Sequence, residues 1–173
     1  MQYFKQVIFV LSFITTFSLA AHAKTQYIPE HLDQFNKTNV CVGCDLSEVT
    51  LTWSAHNNAN LSQALLVKAS LDNASFNSAN FYSAQIMYAH LDGIRASGSN
   101  FTSADLTGSD LVHANLSSAD FTGANLSNAN LAHADLARAN VSPDQLATVK
   151  SLSCAIMPDG TQHTADKGSV CSE

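Results

Sequence analysis

The chain has 173 residues, 46% of them hydrophobic and 13% charged, with eight Lys and Arg against fourteen Asp and Glu. That length suits one domain, and the surplus of acid does not favour nucleic acid or an anionic membrane as partner. Much of the hydrophobic share is Ala in a repeating register, so only the N-terminus calls for a membrane explanation.

Residues 1–23 have Lys5 near the start, an apolar run from Val7 to Phe13 that continues through Phe17 to Ala20, and Ala21-His22-Ala23 before Lys24. This is the anatomy of a secretory signal peptide with a small-x-small cleavage site. The apolar run is short for a membrane span, and no Cys follows the cleavage site, which argues against a lipoprotein. The expectation is an exported chain, periplasmic or extracellular, with no membrane contact once the leader is removed. All four Cys lie in the exported part, where an even count favours disulfides.

Residues 24–40 read as an N-terminal cap. Pro29 suits a first helical turn, Glu30 is an early acid, and Leu32 and Phe35 share a face. The helix predicted here would cover an exposed β-edge. Cys41-Val42-Gly43-Cys44 then opens the repeat, with both thiols expected to point inward. Three readings of this motif stand: a local disulfide, free thiols, or a redox or metal site. The helix-opening context of a thioredoxin-like site is absent, Asp45 stands where haem attachment needs His, and Cys154 and Cys171 lie far along the chain.

From Ala59 to Arg138 one phrase, Ala-Asp/Asn-Leu/Phe-x-x, recurs without insertion or deletion. Every fifth residue from Leu61 to Leu136 gives sixteen positions, and all but Ala96 are Leu, Ile or Phe. In a helix a five-residue step turns about 140°, which scatters these residues around the axis. In a strand, each Ala and the large residue two beyond it face one interior while Asn or Asp between them faces out. Because five is odd, a straight strand would expose alternate large residues, so the chain must turn a corner in every repeat, and the Ser, Thr, Gly and Asn that follow suit corners. Phe81, Phe101 and Phe121 recur at twenty, as do His113 and His133. Four pentapeptides per coil therefore give a four-sided solenoid with a ladder of Phe rings inside.

The phrases Ala104-Asp105-Leu106, Ala119-Asp120-Phe121, Ala124-Asn125-Leu126 and Ala129-Asn130-Leu131 resemble the pentapeptide-repeat protein family. The resemblance implies an all-β, right-handed quadrilateral β-helix. The repeat region, residues 41–142, would make about five coils with short helical caps at both ends.

Three irregularities interrupt the pattern. His56 takes an interior position beside Trp53, so it needs a hydrogen-bond partner or a partly open end. In Ile94-Arg95-Ala96 the small and large positions exchange sizes with little change in summed volume, which predicts a local repack with Arg95 outside. His90 falls below Asp110, and His113 below His133, as solvated pairs with no third metal ligand in the column.

Residues 143–173 form the predicted C-terminal cap. Ser142-Pro143-Asp144-Gln145 is a capping box and predicts a helix over 143–150. A flap containing the turn Pro158-Asp159-Gly160-Thr161, stapled by Cys154 and Cys171, should follow. Cys pairs at both ends resemble those of exported pentapeptide-repeat proteins.

No catalytic motif is present, so no catalytic residue, metal or cofactor is expected. The expected role is an exported non-enzymatic structural or interaction module with a protein partner. Its possible contact surface is Val67, Met87 and Tyr88 on one face and Tyr82 on the adjoining one. Because some family members with acidic surfaces imitate duplex DNA and protect type II topoisomerases, that role is the alternative. An export signal argues against it. A carbohydrate or lattice binder is a third reading, weakened because Tyr82 and Ser142 interrupt the Thr102–Thr122 column.

Overall fold

A computed structural model describes residues 27–164 and 171. The predicted leader lies outside these residues. The chain after Asn39 winds so that residues twenty apart pair in parallel: Val40 with Asn60, Asn60 with Asn80, and so on through Asn100 and Asp120 to Asn140. Three further columns begin at Asp45, Thr50 and Ala55. We name the sides one to four after Val40, Asp45, Thr50 and Ala55.

The sides are not extended strands. Each pentapeptide makes isolated bridges, because residues in the left-handed region at five-residue intervals end the extended run; Gln63, Ser83, Ser103 and Gly123 are examples. These residues take the third position of type II turns, closed for instance by Ala64 N–H donating to Leu61 O over 3.1 Å. Only two or three residues per side remain extended.

The hydrogen bonds explain the rest of the phrase. In the repeat around Leu61, Asn60 N–H donates to Asn39 O below, while Leu61 and Gln63 donate to Asn80 O and Tyr82 O above. Ala64 closes the turn, and Ser62 N–H donates to Asn60 Oδ1 over 3.2 Å. No backbone donor of this repeat is left unpaired, as a buried ladder demands. The outward Asn or Asp is thus the acceptor for the first corner residue, as recurs at Asn80, Asn100, Asp105 and Asp120. Where Ser75, His90 or Arg95 replaces it, a corner side chain one coil below takes over: Asn57, Asp72 and Asn77 accept from the N–H groups of Asn77, Asp92 and Ser97.

Inside, Phe81, Phe101 and Phe121 stack with centroids 4.9 and 5.0 Å apart and planes within 3°. Ile94 and Ala96 are both fully buried and Arg95 is exposed. Buried Ser99 and Ser109 stand in Ala positions and donate to Phe76 O and Leu106 O, which satisfies their hydroxyls.

Helix α1, Pro29–Thr38, packs beneath the first coil. Its Phe35 lies under His56, which in turn lies under Phe76, with centroid distances of 4.4 and 5.4 Å. His56 finds its partner in Asn39 Oδ1 at 2.8 Å. Asn39 also donates from Nδ2 to Asn57 O, so its Oδ1 is the acceptor and His56 carries its proton on Nδ1.

Helix α2, Pro143–Leu146, is shorter than the predicted 143–150, ending in turns over Ala147–Lys150. The capping box forms as the sequence implies. Gln145 Nε2 also donates to Phe121 O and Ala124 O, at 2.7 and 2.8 Å. It supplies from a side chain the ladder donor that the chain gives up on entering the helix. The coil then resumes one residue out of step, Asn130 pairing with Ser151 and Asp135 with Ile156. A return through Pro158–Thr161 lays Gln162 antiparallel to Ile156.

Candidate interaction surface

With its interior filled, this molecule offers its outer sides and its two ends for contact. On the outside, Val67 and Met87 sit one coil apart and are half-buried, while Tyr88 beside them is 57% exposed. The Tyr88 ring reaches the next coil beside Gly108, where an added Cβ would come within 2.7 Å of two ring carbons. Tyr82, on the adjoining corner, is 43% exposed. The structure therefore brings Val67, Met87 and Tyr88 into one strip and leaves Tyr82 apart from it.

His113 and His133 stack at 5.1 Å, and His113 Nδ1 lies 3.2 Å from Asp92 Oδ1. Among the described residues no group of three His, Cys, Asp or Glu is placed to hold a metal ion. Asp120 accepts from both the hydroxyl and the N–H of Thr122, which holds its carboxyl below the usual carboxylate range. Asp159 and Thr161 repeat the arrangement in the tail. These carboxylates are committed to the backbone, which makes them poor candidates for acid chemistry.

At the ends, Cys41 is bonded to Cys44 and Cys154 to Cys171. Both sulfurs of the first pair are buried, so neither serves as an exchange site on the surface. The core ends at the C-terminus in an open apolar recess of about 520 Å³ lined by the last member of each ladder, Val141, Leu146, Leu152 and Met157. At the N-terminus, Trp53 is 75% exposed, with Val40 and Val42 at 42% and 50%. Sequence reasoning placed Trp53 at a corner but did not see it as part of an exposed rim. It also missed the recess, because the one-residue offset after α2 hides the last ladder positions.

The model of the family described as "Pentapeptide repeats" matches eight copies over residues 44–82, 79–117 and 114–142. No curated protein matches. Among solved structures, a pentapeptide repeat protein of the Arabidopsis thaliana thylakoid lumen is similar at 22% identity, covering 65% of this chain and 75% of its own, with a TM-score of 0.43. Rfr23 of the cyanobacterium Cyanothece 51142 is similar at 22% identity, covering 83% and 99%, with a TM-score of 0.31. HetL of Nostoc sp. strain PCC 7120, described as involved in regulation of heterocyst differentiation, is similar at 20% identity, covering 80% and 100%, with a TM-score of 0.21. Eight matched copies across more than half of the sequence, wound into coils of four pentapeptides, make this chain a member of the pentapeptide-repeat family, with the right-handed β-helix fold of that family.

Proposed function

We propose that the protein is an exported, non-enzymatic interaction module: a rod of about five coils, capped at both ends, that meets a protein partner outside the cytoplasm. The observation that carries this reading is the outward apolar strip of Val67, Met87 and Tyr88, held on a ladder whose backbone is hydrogen-bonded coil to coil. A preorganised apolar strip loses little conformational entropy on contact, which favours protein recognition. The two disulfides fit an oxidising compartment. The seven Lys and Arg against fourteen Asp and Glu left after removal of residues 1–23 disfavour nucleic acid.

Two measurements test the two halves of the proposal. Fractionation with and without the leader, with mass spectrometry of the mature N-terminus, should find a chain beginning at Lys24 in the exported fraction. A chain that keeps Met1 and stays in the cytosol would end the export reading and favour the topoisomerase alternative. A photo-crosslinker at position 88 should yield a discrete adduct in the exported fraction, lost when Met87→Asp is introduced. Crosslinks with no preferred product would remove the strip as the contact surface.

A further inference from the structure

The two ends of the rod are closed to different degrees. Beneath sides one and two, α1 stands in for a missing coil. Thr38 and Gln34 hold the Val40 backbone, His31 Nδ1 accepts from Asp45 N–H, and Ile28 N–H donates to Asp45 O. Beneath side four, Phe35 and Asn39 cover His56 and Asn39 meets Asn57 O, but no described residue stands under the outer backbone edge of sides three and four. The N–H and C=O groups of Thr50 and Ala55 have no hydrogen-bond partner there, and both residues are exposed. At the C-terminal end, α2, the resumed coil and the antiparallel return cover the last complete turn.

This open rim lacks the usual guards of a β-edge, which are charge, Pro or a covering element. Residues 49–58 contain no Asp, Glu, Lys, Arg or Pro in a chain of formal charge −6. Trp53, the only Trp of the chain, stands at the corner between sides three and four. Val42 stands at the diagonally opposite corner, next to Val40.

We propose that this half-open end pairs with the same end of a second copy, forming a two-fold dimer. An axis perpendicular to the rod that exchanges side one with side four, and side two with side three, lays each α1 into the open half of the other copy. The same operation sets Trp53 of each copy opposite Val42 of the other, and Ala55 opposite the Val40 side. Shape favours it, since two half-filled layers complete each other, and the uncharged stretch 49–58 of each copy sets no like charge against Glu30, Asp33 and Lys37 on the other's α1. The contact is isologous and closes on itself, so each copy's open rim is used up by the other's. An end face roughly 22 Å across buries on the order of 1,000 Å² in total, the lower limit for a specific interface, so the dimer is reversible, with a dissociation constant on the order of micromolar. This inference depends neither on the compartment nor on the lateral strip.

Sedimentation equilibrium of the purified full chain from about 1 to 500 µM, read alongside Trp53 emission, tests it. The mass should double and the emission shift to the blue with one common midpoint. Ala55→Lys should raise that midpoint at least about tenfold; Arg95 already occupies the equivalent place on side four, so the monomer accepts a long cation there. Trp53→Ala should weaken the dimer without unfolding it. A monomer throughout the range overturns the proposal. So does doubling without a change in emission, which would move the contact to another surface such as the C-terminal recess. Equally fatal are a Trp53 already shielded in the monomer, as when the chain's own N-terminal segment lies on the rim, and an Ala55→Lys variant with an unshifted midpoint.

Discussion

At Gly108 two demands meet in one residue. Its φ of +66° places it in the left-handed region, and the ring of Tyr88 occupies the space a Cβ would fill. Gly98 has the same φ but only Ser78 Oγ at 3.8 Å from the added atom, so it isolates the backbone part of the demand. Gly98→Ala should cost about 1 kcal/mol for the left-handed Cβ. Gly108→Ala should cost that and a further ~1 kcal/mol, because the ring must lift off the coil and lose its contacts. Urea midpoints of both variants check the difference. In Tyr88→Ala the excess cost of Gly108→Ala should vanish; an unchanged excess would mean that the ring does not lie where the structure puts it. The same residue-level view explains what the repeat letters could not reveal. Periodicity marks Asn and Asp as outward, but it carries no trace of the N–H they accept. The substitution of Asn57, Asp72 and Asn77 for missing acceptors therefore emerged only from the folded coil.

At the scale of elements, α1 is held to the solenoid through His56. The imidazole lies between Phe35 and Phe76 with Nδ1–H on Asn39 Oδ1, and burial pushes its pKa below the ordinary value. A group whose pKa is lower folded than unfolded binds fewer protons when folded. Its contribution is therefore fully present above the unfolded value of about 6.5 and is lost progressively as pH falls through that value toward the folded one. Acid should loosen α1 before the coils. Thermal midpoints from pH 8 to 5 should drop more steeply for the wild type than for His56→Leu, which restores an apolar residue to the ladder. Equal slopes would exclude His56 as the source. Pro29, Glu30 and the spacing of Leu32 and Phe35 made this helix legible in the sequence. Its attachment was not, since Asn39 comes close to His56 only once the first coil has closed. α2 stops short of the apolar pattern for a related reason: Ala147 and Val149 continue that pattern, but Gln145 spends its side chain on Phe121 and Ala124, and the chain must leave the helix to rejoin side three.

The whole molecule is a stack in which each coil touches only its neighbours, so stability is a sum of coil and junction terms. The constraint that survives at this scale is register. Twenty residues return every ladder to itself: Phe over Phe on one interior column, Asn100 Nδ2 onto Asn80 Oδ1 on the outside. Among the described residues the chain breaks this period once, between Asn130 and Ser151, and it does so across α2, where a helix and turns absorb the extra residue. Within the sides there is no such buffer, because one residue of slip turns every buried Leu outward. Two deletions differing by a single residue should therefore behave very differently. Removing Thr107–Leu126 joins Leu106 to Ser127 in phase. The product should unfold cooperatively, with a heat-capacity change smaller by about 0.25–0.3 kcal/mol/K for the twenty residues lost. Removing Gly108–Leu126 leaves Thr107 as a slip. The coils above the joint then cannot bury their ladder on those below, and calorimetry should show either no cooperative transition or one confined to part of the chain. A cooperative, full-sized transition in the second variant would mean that a side can absorb a residue as α2 does, and that register is enforced by the caps instead of by the ladders.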